Sequence, residues 1–183
     1  MNHLFITIFI FLSFPLLAQT DKGDIIIGGN LGFQTGTESN LFNISPNVGV
    51  FVANNFALGG GLSLMSSKQG DVRSRSLGIG PFARYYIGKA QTKPFIVTEF
   101  NFLNLRIKAD NNVEIKNNGI GWLLGLGFAS FINENVAVEG ISGYNYAKFN
   151  DSEGGGGFAL RLGFQVYLSR KSVSDLRSNV LGN

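Results

Sequence analysis

Two arginines and two glutamates are the residues of this chain with the clearest chemical potential. Arg84, Glu99, Glu139 and Arg161 lie within segments where apolar residues alternate with small or polar ones. This alternation predicts that all four charges point to the same face of a sheet. In a water-poor interior they must neutralise one another, because an unpaired buried charge costs several kcal/mol. We expect a structural charge network on that face. Its predicted amide neighbours are Asn30, Asn47, Asn101 and Gln165.

The first pair in this network is predicted from a turn between two strands. If the strands pair about a turn centred near residue 91, Arg84 and Glu99 come almost opposite each other. At that separation a charge-assisted hydrogen bond can form. We therefore expect Arg84 and Glu99 to be partners, while the alternative is that the four charges line a gated pore.

Groups suited to catalysis are scarce. The single histidine, His3, lies in the N-terminal apolar segment, and the chain has no cysteine. A serine or threonine hydroxyl needs an adjacent base to become a nucleophile, and histidine is the usual one. The remaining inward acids, Glu99 and Glu139, have arginines nearby that favour the paired carboxylate over a free base. We expect no catalytic residues and no enzymatic activity.

Nothing in the sequence predicts a cofactor, a metal ion or nucleic acid as a ligand. Three Gly-x-Gly pairs lie inside alternating segments, without the strand-turn-helix setting of a dinucleotide loop. The acids Asp110, Asp151 and Glu153 do not have the spacing of an EF-hand. Lysines and arginines are dispersed along the sequence and the net charge is only +3, which gives no basic stripe for nucleic acid.

The N-terminus predicts export. Residues 4–17 are almost entirely apolar, and the first charges follow at Asp21 and Lys22. This run is shorter than the roughly 20 apolar residues of a membrane-spanning helix and fits a signal peptide. An uncleaved anchor helix is the alternative. We divide the chain into a signal peptide at 1–18, a β-barrel at 19–169 and a polar C-terminal tail at 170–183.

Period-two alternation continues through the whole mature chain and predicts eight strands. Several exceed the usual five or six residues and match the roughly 9 to 11 of a tilted transmembrane strand. An even number is typical of bacterial outer-membrane barrels. The predicted strands are 24–35, 42–52, 56–66, 73–87, 94–108, 118–132, 136–147 and 157–169. The links at 36–40, 67–72, 109–117 and 148–156 are expected to be longer than the turns that alternate with them.

The two faces of these strands differ enough to predict which one meets lipid. In the last strand, Phe158, Leu160, Leu162 and Phe164 alternate with Ala159, Arg161 and Gly163. Small residues leave space for larger chains inside a narrow eight-strand barrel, and only 15% of the residues are charged. The sheet must then close, because an open edge in hydrocarbon leaves amides unpaired. Aromatic residues near strand ends suit the interface girdles: Phe51, Phe56, Tyr85, Tyr86, Phe95, Phe131, Tyr144, Tyr146 and Tyr167.

Three strand-turn-strand blocks resemble a known family. Residues 46–61, 80–86 and 128–140 are similar to recurrent segments of the bacterial outer membrane protein β-barrel domain family, small barrels of the OmpA/OmpX type. The resemblance implies a location in the cell outer membrane, with its lipids and the barrel-assembly machinery as partners. It carries no shared enzymatic site. Such barrels often end on an aromatic residue, whereas this chain continues as the polar segment 170–183.

All of these features lead to one fold and to three hypotheses about function. The fold is all-β: a closed antiparallel transmembrane barrel of about eight strands in up-and-down order. The function favoured is a structural or surface-interaction role with a lumen filled by side chains, because eight strands leave little open space. A narrow channel for ions or small solutes is the alternative, and a lipid-modifying outer-membrane enzyme is the third hypothesis. The sequence does not identify an extracellular ligand.

Overall fold

The protein is an eight-stranded antiparallel sheet closed into a barrel. The computed structural model describes residues 20–35, 40–69, 72–108 and 114–169, so the predicted signal peptide and C-terminal tail lie outside the described residues. The strands are β1 (Ile25–Thr35), β2 (Asn40–Ala53), β3 (Phe56–Gln69), β4 (Val72–Tyr86), β5 (Thr92–Lys108), β6 (Glu114–Phe131), β7 (Val136–Phe149) and β8 (Gly155–Leu168). This confirms the predicted fold class, strand number and meander order.

Each strand pairs with its sequence neighbours, and β1 closes the barrel against β8. That last seam runs from Ile25 opposite Leu168 to Phe33 opposite Leu160. Closure satisfies the backbone donors and acceptors that an open edge would leave exposed. No helix in the described ranges is long and apolar enough to cross a bilayer.

The barrel has two rims, a turn end and a loop end, which differ in the links they carry. The turn end holds the links 54–55, 87–91 and 132–135, together with Thr20 and Ser169 at the limits of the described chain. The loop end holds the links 36–39, 70–71, 109–113 and 150–154. At the first turn Asn55 adopts a φ of 63°, a left-handed conformation that asparagine tolerates better than most residues.

The predicted difference in link length between the two rims is wrong. The link between β3 and β4 is residues 70–71 only, and the turn-end link 87–91 is as long as the loop-end link 109–113. The hairpins instead extend into the expected loops, so that β6 reaches 18 residues. Antiparallel pairing is maintained by backbone hydrogen bonds, so a strand can continue after the apolar alternation that revealed it has ended.

The outer face of the barrel is apolar, as predicted. On β8 the outward residues Phe158, Leu160, Leu162 and Phe164 are all exposed, Phe158 to 74%. Leu58, Leu62 and Leu64 form the same kind of surface on β3. A contiguous apolar exterior of this extent is not that of a water-soluble protein and marks a membrane-facing or interaction surface.

The aromatic girdle prediction is wrong for five of its nine residues. Phe51, Tyr86, Phe95, Phe131 and Tyr167 are buried inside the barrel. Their positions along the strands have the inward parity, which proximity to a strand end does not reveal. Tyr85 and Tyr144 do lie on the exposed outer face.

Candidate functional site

The candidate site is the lumen, where the alternation of each strand places all four predicted charges. Arg84 lies on β4, Glu99 on β5, Glu139 on β7 and Arg161 on β8. The side chains of Arg84 and Glu139 are 1% and 0% exposed, whereas that of Glu99 is 14% exposed. The lumen is therefore drier around the first pair than around the second.

Two ion pairs cross the lumen. Arg84 Nη1 donates to Glu139 Oε2 over 2.8 Å, and Arg161 Nη1 donates to Glu99 Oε2 over 2.7 Å. Each pair connects strands that are three positions apart around the barrel. The four charges are thus brought together in the interior, each beside a partner of opposite sign.

The predicted partnership between Arg84 and Glu99 is wrong. The register places Arg84 opposite Val97 and Glu99 opposite Phe82, so the two charges are one same-face position out of step. In a closed barrel a long side chain can also reach across the lumen, where the pairing of adjacent strands gives no guide. Arg84 takes this route to Glu139.

Glu139 is the central acceptor of a hydrogen-bond network at the turn end of the lumen. Tyr167 Oη donates to Glu139 Oε1 over 2.7 Å, and Tyr86 Oη lies 3.5 Å from the same oxygen. The two tyrosine hydroxyls are 3.0 Å apart. The carboxylate is therefore held by an arginine on one oxygen and by phenols on the other. Such charge-assisted bonds are stronger than neutral ones.

A cluster of aromatic rings surrounds this network and fills the turn end of the lumen. The ring centroids of Tyr86 and Phe95 are 5.0 Å apart, and those of Phe131 and Tyr167 are 4.8 Å apart. Phe51 joins the two groups, 5.6 Å from Tyr86 and 6.2 Å from Tyr167. We call these five rings, with Arg84 and Glu139, the turn-end plug. They come from β2, β4, β5, β6, β7 and β8, so the plug extends across the full lumen.

The segment before β1 closes the turn end from below. Thr20 is 3% exposed, and its hydroxyl donates to Asn55 Oδ1 over 2.7 Å. Lys93 Nζ donates to the Thr20 hydroxyl over 2.7 Å and lies 5.7 Å from the centre of the Phe131 ring. This layer seals the rim beneath the plug.

Inward glycines make room for the large side chains of the plug. A Cβ at Gly127 would overlap the Phe95 ring, and one at Gly59 would overlap the Phe82 ring. Phe82 in turn lies 5.0 Å from the Arg84 guanidinium, measured from Cζ to the ring centroid. The prediction that small inward residues create space for larger ones agrees with this packing.

Buried amides without partners lie above the plug. Both amide atoms of Asn30 and of Gln165 make no hydrogen bond within the described chain, and Gln165 is fully buried. Buried polar atoms in proteins are normally bonded to protein or to ordered water. The lumen thus changes here from packed rings to a polar middle layer.

The loop end of the lumen is open by comparison. A cavity of about 310 Å³ lies there, lined among others by Ser67, Ser74, Ser76, Asn145 and Phe149. Below it, the space between Asn43, Met65 and Arg161 is only about 10 Å³, which is near the minimum of about 10 to 15 Å³ for a single water molecule. The cavity at the loop end therefore ends at the polar middle layer.

The acidic residues of the lumen and links are not clustered in the part of the chain that the structure describes. Within that part, no three acids, histidines or cysteines come close enough to hold a metal ion. Asp151 and Glu153 lie exposed in the link between β7 and β8, and Asp110 is outside the described residues. Glu99 and Glu139 are each bonded to an arginine through one carboxylate oxygen.

Sequence reasoning missed a row of cations on the outer face. Arg75, Arg106 and Lys116 are far apart in sequence, and we interpreted the basic residues as dispersed. The register of β4, β5 and β6 makes them direct neighbours, and all three are exposed. Strand parity was available from the sequence, but the register that aligns three strands was not.

Comparison with solved structures identifies the fold. No family model and no curated protein sequence matches the chain. The chain is similar to the Neisserial surface protein A (TM-score 0.59, 15% identity, covering 78% of this chain and 95% of that one). It is also similar to the N-terminal barrel of Pseudomonas aeruginosa OprF (TM-score 0.56, 14% identity, covering 80% of this chain and 98% of that one). A third similar structure is Yersinia pestis Ail, the attachment invasion locus protein (TM-score 0.52, 12% identity, covering 80% of this chain and 99% of that one). The chain therefore has the fold of the small eight-stranded outer-membrane β-barrels.

Proposed function

We propose that the protein is an outer-membrane barrel with a structural or surface-interaction role and a lumen closed to ions. The turn-end plug is the observation that carries this proposal. Its ion pair and its five rings are all 0 to 1% exposed, and they extend across the lumen with Thr20 and Lys93 below. Eight strands enclose an interior just wide enough for side chains to fill.

The apolar exterior and the solved neighbours support an outer-membrane location. At the loop end the hairpins continue past the apolar alternation, as in the 18 residues of β6, and in such barrels the longer connections face outward and the shorter ones face the periplasm. The turn end, which carries both limits of the described chain, is then periplasmic, and the loop end is extracellular. A surface role would fall to the loop end, and among the neighbours Ail and the Neisserial protein are named for attachment and for the cell surface.

Cell fractionation and gel mobility test the location. The full chain is expected in the outer-membrane fraction, and an unheated detergent sample is expected to migrate differently from a boiled one, because a closed barrel resists unfolding by detergent. Recovery of the chain in the periplasm without detergent would contradict the location.

Planar-bilayer recordings test the sealed lumen against the channel alternative. Wild type is expected to show no steady conductance, whereas Arg84→Ala/Glu139→Ala removes both long chains from the plug and is expected to leak. The matched control is Glu99→Ala/Arg161→Ala, which also removes one ion pair but leaves the plug intact and should stay closed. Steady nanosiemens conductance of the wild type would refute the proposal and favour a channel.

Incubation with phospholipid and lipid A tests the expectation that the barrel is not an enzyme. No fatty acid release is expected, because both inward carboxylates are engaged by arginines. Release that persists through purification and is lost in Glu99→Gln or Glu139→Gln would establish the enzyme hypothesis instead.

A further inference from the structure

The outer face of the barrel carries a row of like charges at the loop end. Arg75 on β4 lies opposite Arg106 on β5, and Arg106 lies opposite Lys116 on β6. Directly opposite residues have Cβ atoms about 5 Å apart, and like charges in that position destabilise a sheet. Arg106 has a cation on both sides. A barrel that keeps this row pays a cost in stability unless an anion is present.

No side chain of the described residues neutralises this row. Arg75, Arg106 and Lys116 form no ion pair and no side-chain hydrogen bond with the side chains that the structure describes, and the two ion pairs across the lumen involve other arginines. Ser66 is the cross-strand neighbour of Arg75 on the remaining side.

The position of the row along the barrel matches a membrane interface. The next row on the same face, toward the turn end, consists of Leu77, Asn104 and Asn118. In this row Asn104 Nδ2 donates to Asn118 Oδ1 over 2.8 Å. The row after that is Ile79, Phe102 and Ile120, all exposed and apolar. Same-face rows are about 7 Å apart along a strand. The outer surface thus passes from apolar side chains through amides to cations within two rows.

A groove connects the cations to the apolar surface. It has a volume of about 500 Å³, and Arg75 and Arg106 lie at one part of its wall. Phe42, Ile44 and Leu64 supply its apolar wall. A ligand that fits this groove needs anionic groups and hydrocarbon in the same molecule.

From this arrangement we infer that Arg75, Arg106 and Lys116 form a binding site for the phosphate groups of a lipid whose acyl chains lie along the groove. The inference rests on the proposed outer-membrane location, which puts the row in the outer leaflet. Arginine is suited to this task because its guanidinium bonds phosphate through two parallel donors. The lipid neutralises the row and removes the repulsion that the register imposes.

Lipid binding to the purified full-length barrel tests the site. Native mass spectrometry of the barrel in detergent would measure retention of added lipid A, whose phosphates make it net negative, against phosphatidylethanolamine, whose single phosphate is balanced by an ammonium group, and against inorganic phosphate. Wild type is expected to retain lipid A, and Arg75→Gln/Arg106→Gln/Lys116→Gln to bind it about a hundredfold more weakly, at about a fivefold loss per cation near a lipid surface. The charge-matched control is Lys22→Gln/Lys89→Gln/Lys148→Gln, which removes three exposed lysines outside the row and should bind as wild type.

Thermal unfolding adds a readout with a change of sign. In detergent alone, Arg106→Gln should leave the melting temperature unchanged or raise it, because it removes two repulsive contacts. With lipid A present, the same variant should melt below wild type. A structural role of Arg106 unrelated to lipid would give the same sign in both conditions and would overturn the inference.

The remaining outcomes are equally decisive. Equal lipid A binding by the row variant and wild type, or equal losses in the row variant and its control, would overturn the site. Equal binding of phosphatidylethanolamine would show that the groove takes any lipid, and an equal stabilisation by inorganic phosphate would show an anion site instead of a lipid site. The unheated gel shift verifies that each variant is a folded barrel, so these results are separable from failure of the proposed location.

Discussion

The two ends of the barrel differ in how their side chains are packed, although one continuous sheet forms both. At the turn end the inward side chains are rings and an ion pair packed against one another, with Tyr86, Glu139 and Tyr167 all fully buried. At the loop end small inward residues such as Ser67 and Ser74 leave a cavity of about 310 Å³, and the outer face carries unpaired cations. The side-chain packing that stabilises the barrel is therefore concentrated at the turn end.

Residue size and hydrogen bonding explain why the two ends can differ so much. The backbone ladder is continuous along β5 and β6, from Thr92 opposite Ser130 to Lys108 opposite Glu114. Because the ladder alone maintains the strands, side chains at the loop end need not pack a core. The comparison predicts that substitutions at the turn end have large effects on folding, and that equivalent ones at the loop end have small effects.

The largest effect is expected from Glu139→Ala. It leaves Arg84 buried and unpaired and removes the acceptor of Tyr167, so the free energy of unfolding should fall by about 3–5 kcal/mol. Glu99→Ala breaks the more exposed ion pair and should cost about 1.5 kcal/mol. Urea unfolding of the barrel in detergent measures both. Equal losses of the two variants would show that the surroundings of the Arg84–Glu139 pair are no less accessible to water than those of the Arg161–Glu99 pair.

Double variants distinguish the ion pair observed from the one the sequence predicted. The losses of Arg84→Ala and Glu139→Ala should sum to more than the loss of the double variant, because each single change already breaks the same contact. For Arg84→Ala and Glu99→Ala, the two single losses in the free energy of unfolding should sum more nearly to the loss of the double variant, since these residues are not bonded to each other. Strong coupling of Arg84 with Glu99 would contradict the pairing described here.

Most of the fold could be predicted because alternation alone locates strands in a barrel. The predicted strand 136–147 agrees with β7, Val136–Phe149, within two residues. The predicted strand 118–132 begins four residues late, because three of the four residues of β6 before Asn118 are polar and the alternation ends before the pairing does. A period-two pattern identifies the residues on the apolar outer face, and it ends where the outer face becomes polar.

The interior could be predicted only as a set of inward residues. Parity assigned Arg84, Glu99, Glu139 and Arg161 to the lumen, but their partners depend on register, tilt and reach across a closed cylinder. The same limit hid the row of Arg75, Arg106 and Lys116, which exists only because three strands align. The buried rings were recoverable from the sequence, since Tyr86 shares its parity with Arg84.

Glycine substitutions give an intermediate effect that sharpens the comparison between the ends. Gly127→Ala places a methyl group against the Phe95 ring of the plug, and overpacking of this kind costs about 1–3 kcal/mol. Gly155→Ala at the loop end meets no atom within 4 Å and should change the free energy of unfolding by less than about 0.5 kcal/mol. Urea unfolding in detergent compares the pair. Equal losses would show that the loop end is packed as tightly as the plug.

The smallest effect is expected at the boundary between the two ends, from Gln165→Met. Gln165 is fully buried and neither amide atom has a partner in the described chain, and an unbonded buried amide costs about 1–3 kcal/mol. Methionine has nearly the same length and no such cost, but the change of shape in a packed interior costs up to about 1.5 kcal/mol. The two contributions largely cancel, so the variant should unfold at the same urea concentration as wild type or at a slightly higher one. Gln165→Glu is the control for burial, because an unpaired carboxylate at this position should be strongly destabilising. If Gln165→Met instead loses more than about 1 kcal/mol while the control behaves as expected, an ordered water must bond the amide, and the wet part of the lumen then extends down to the plug itself.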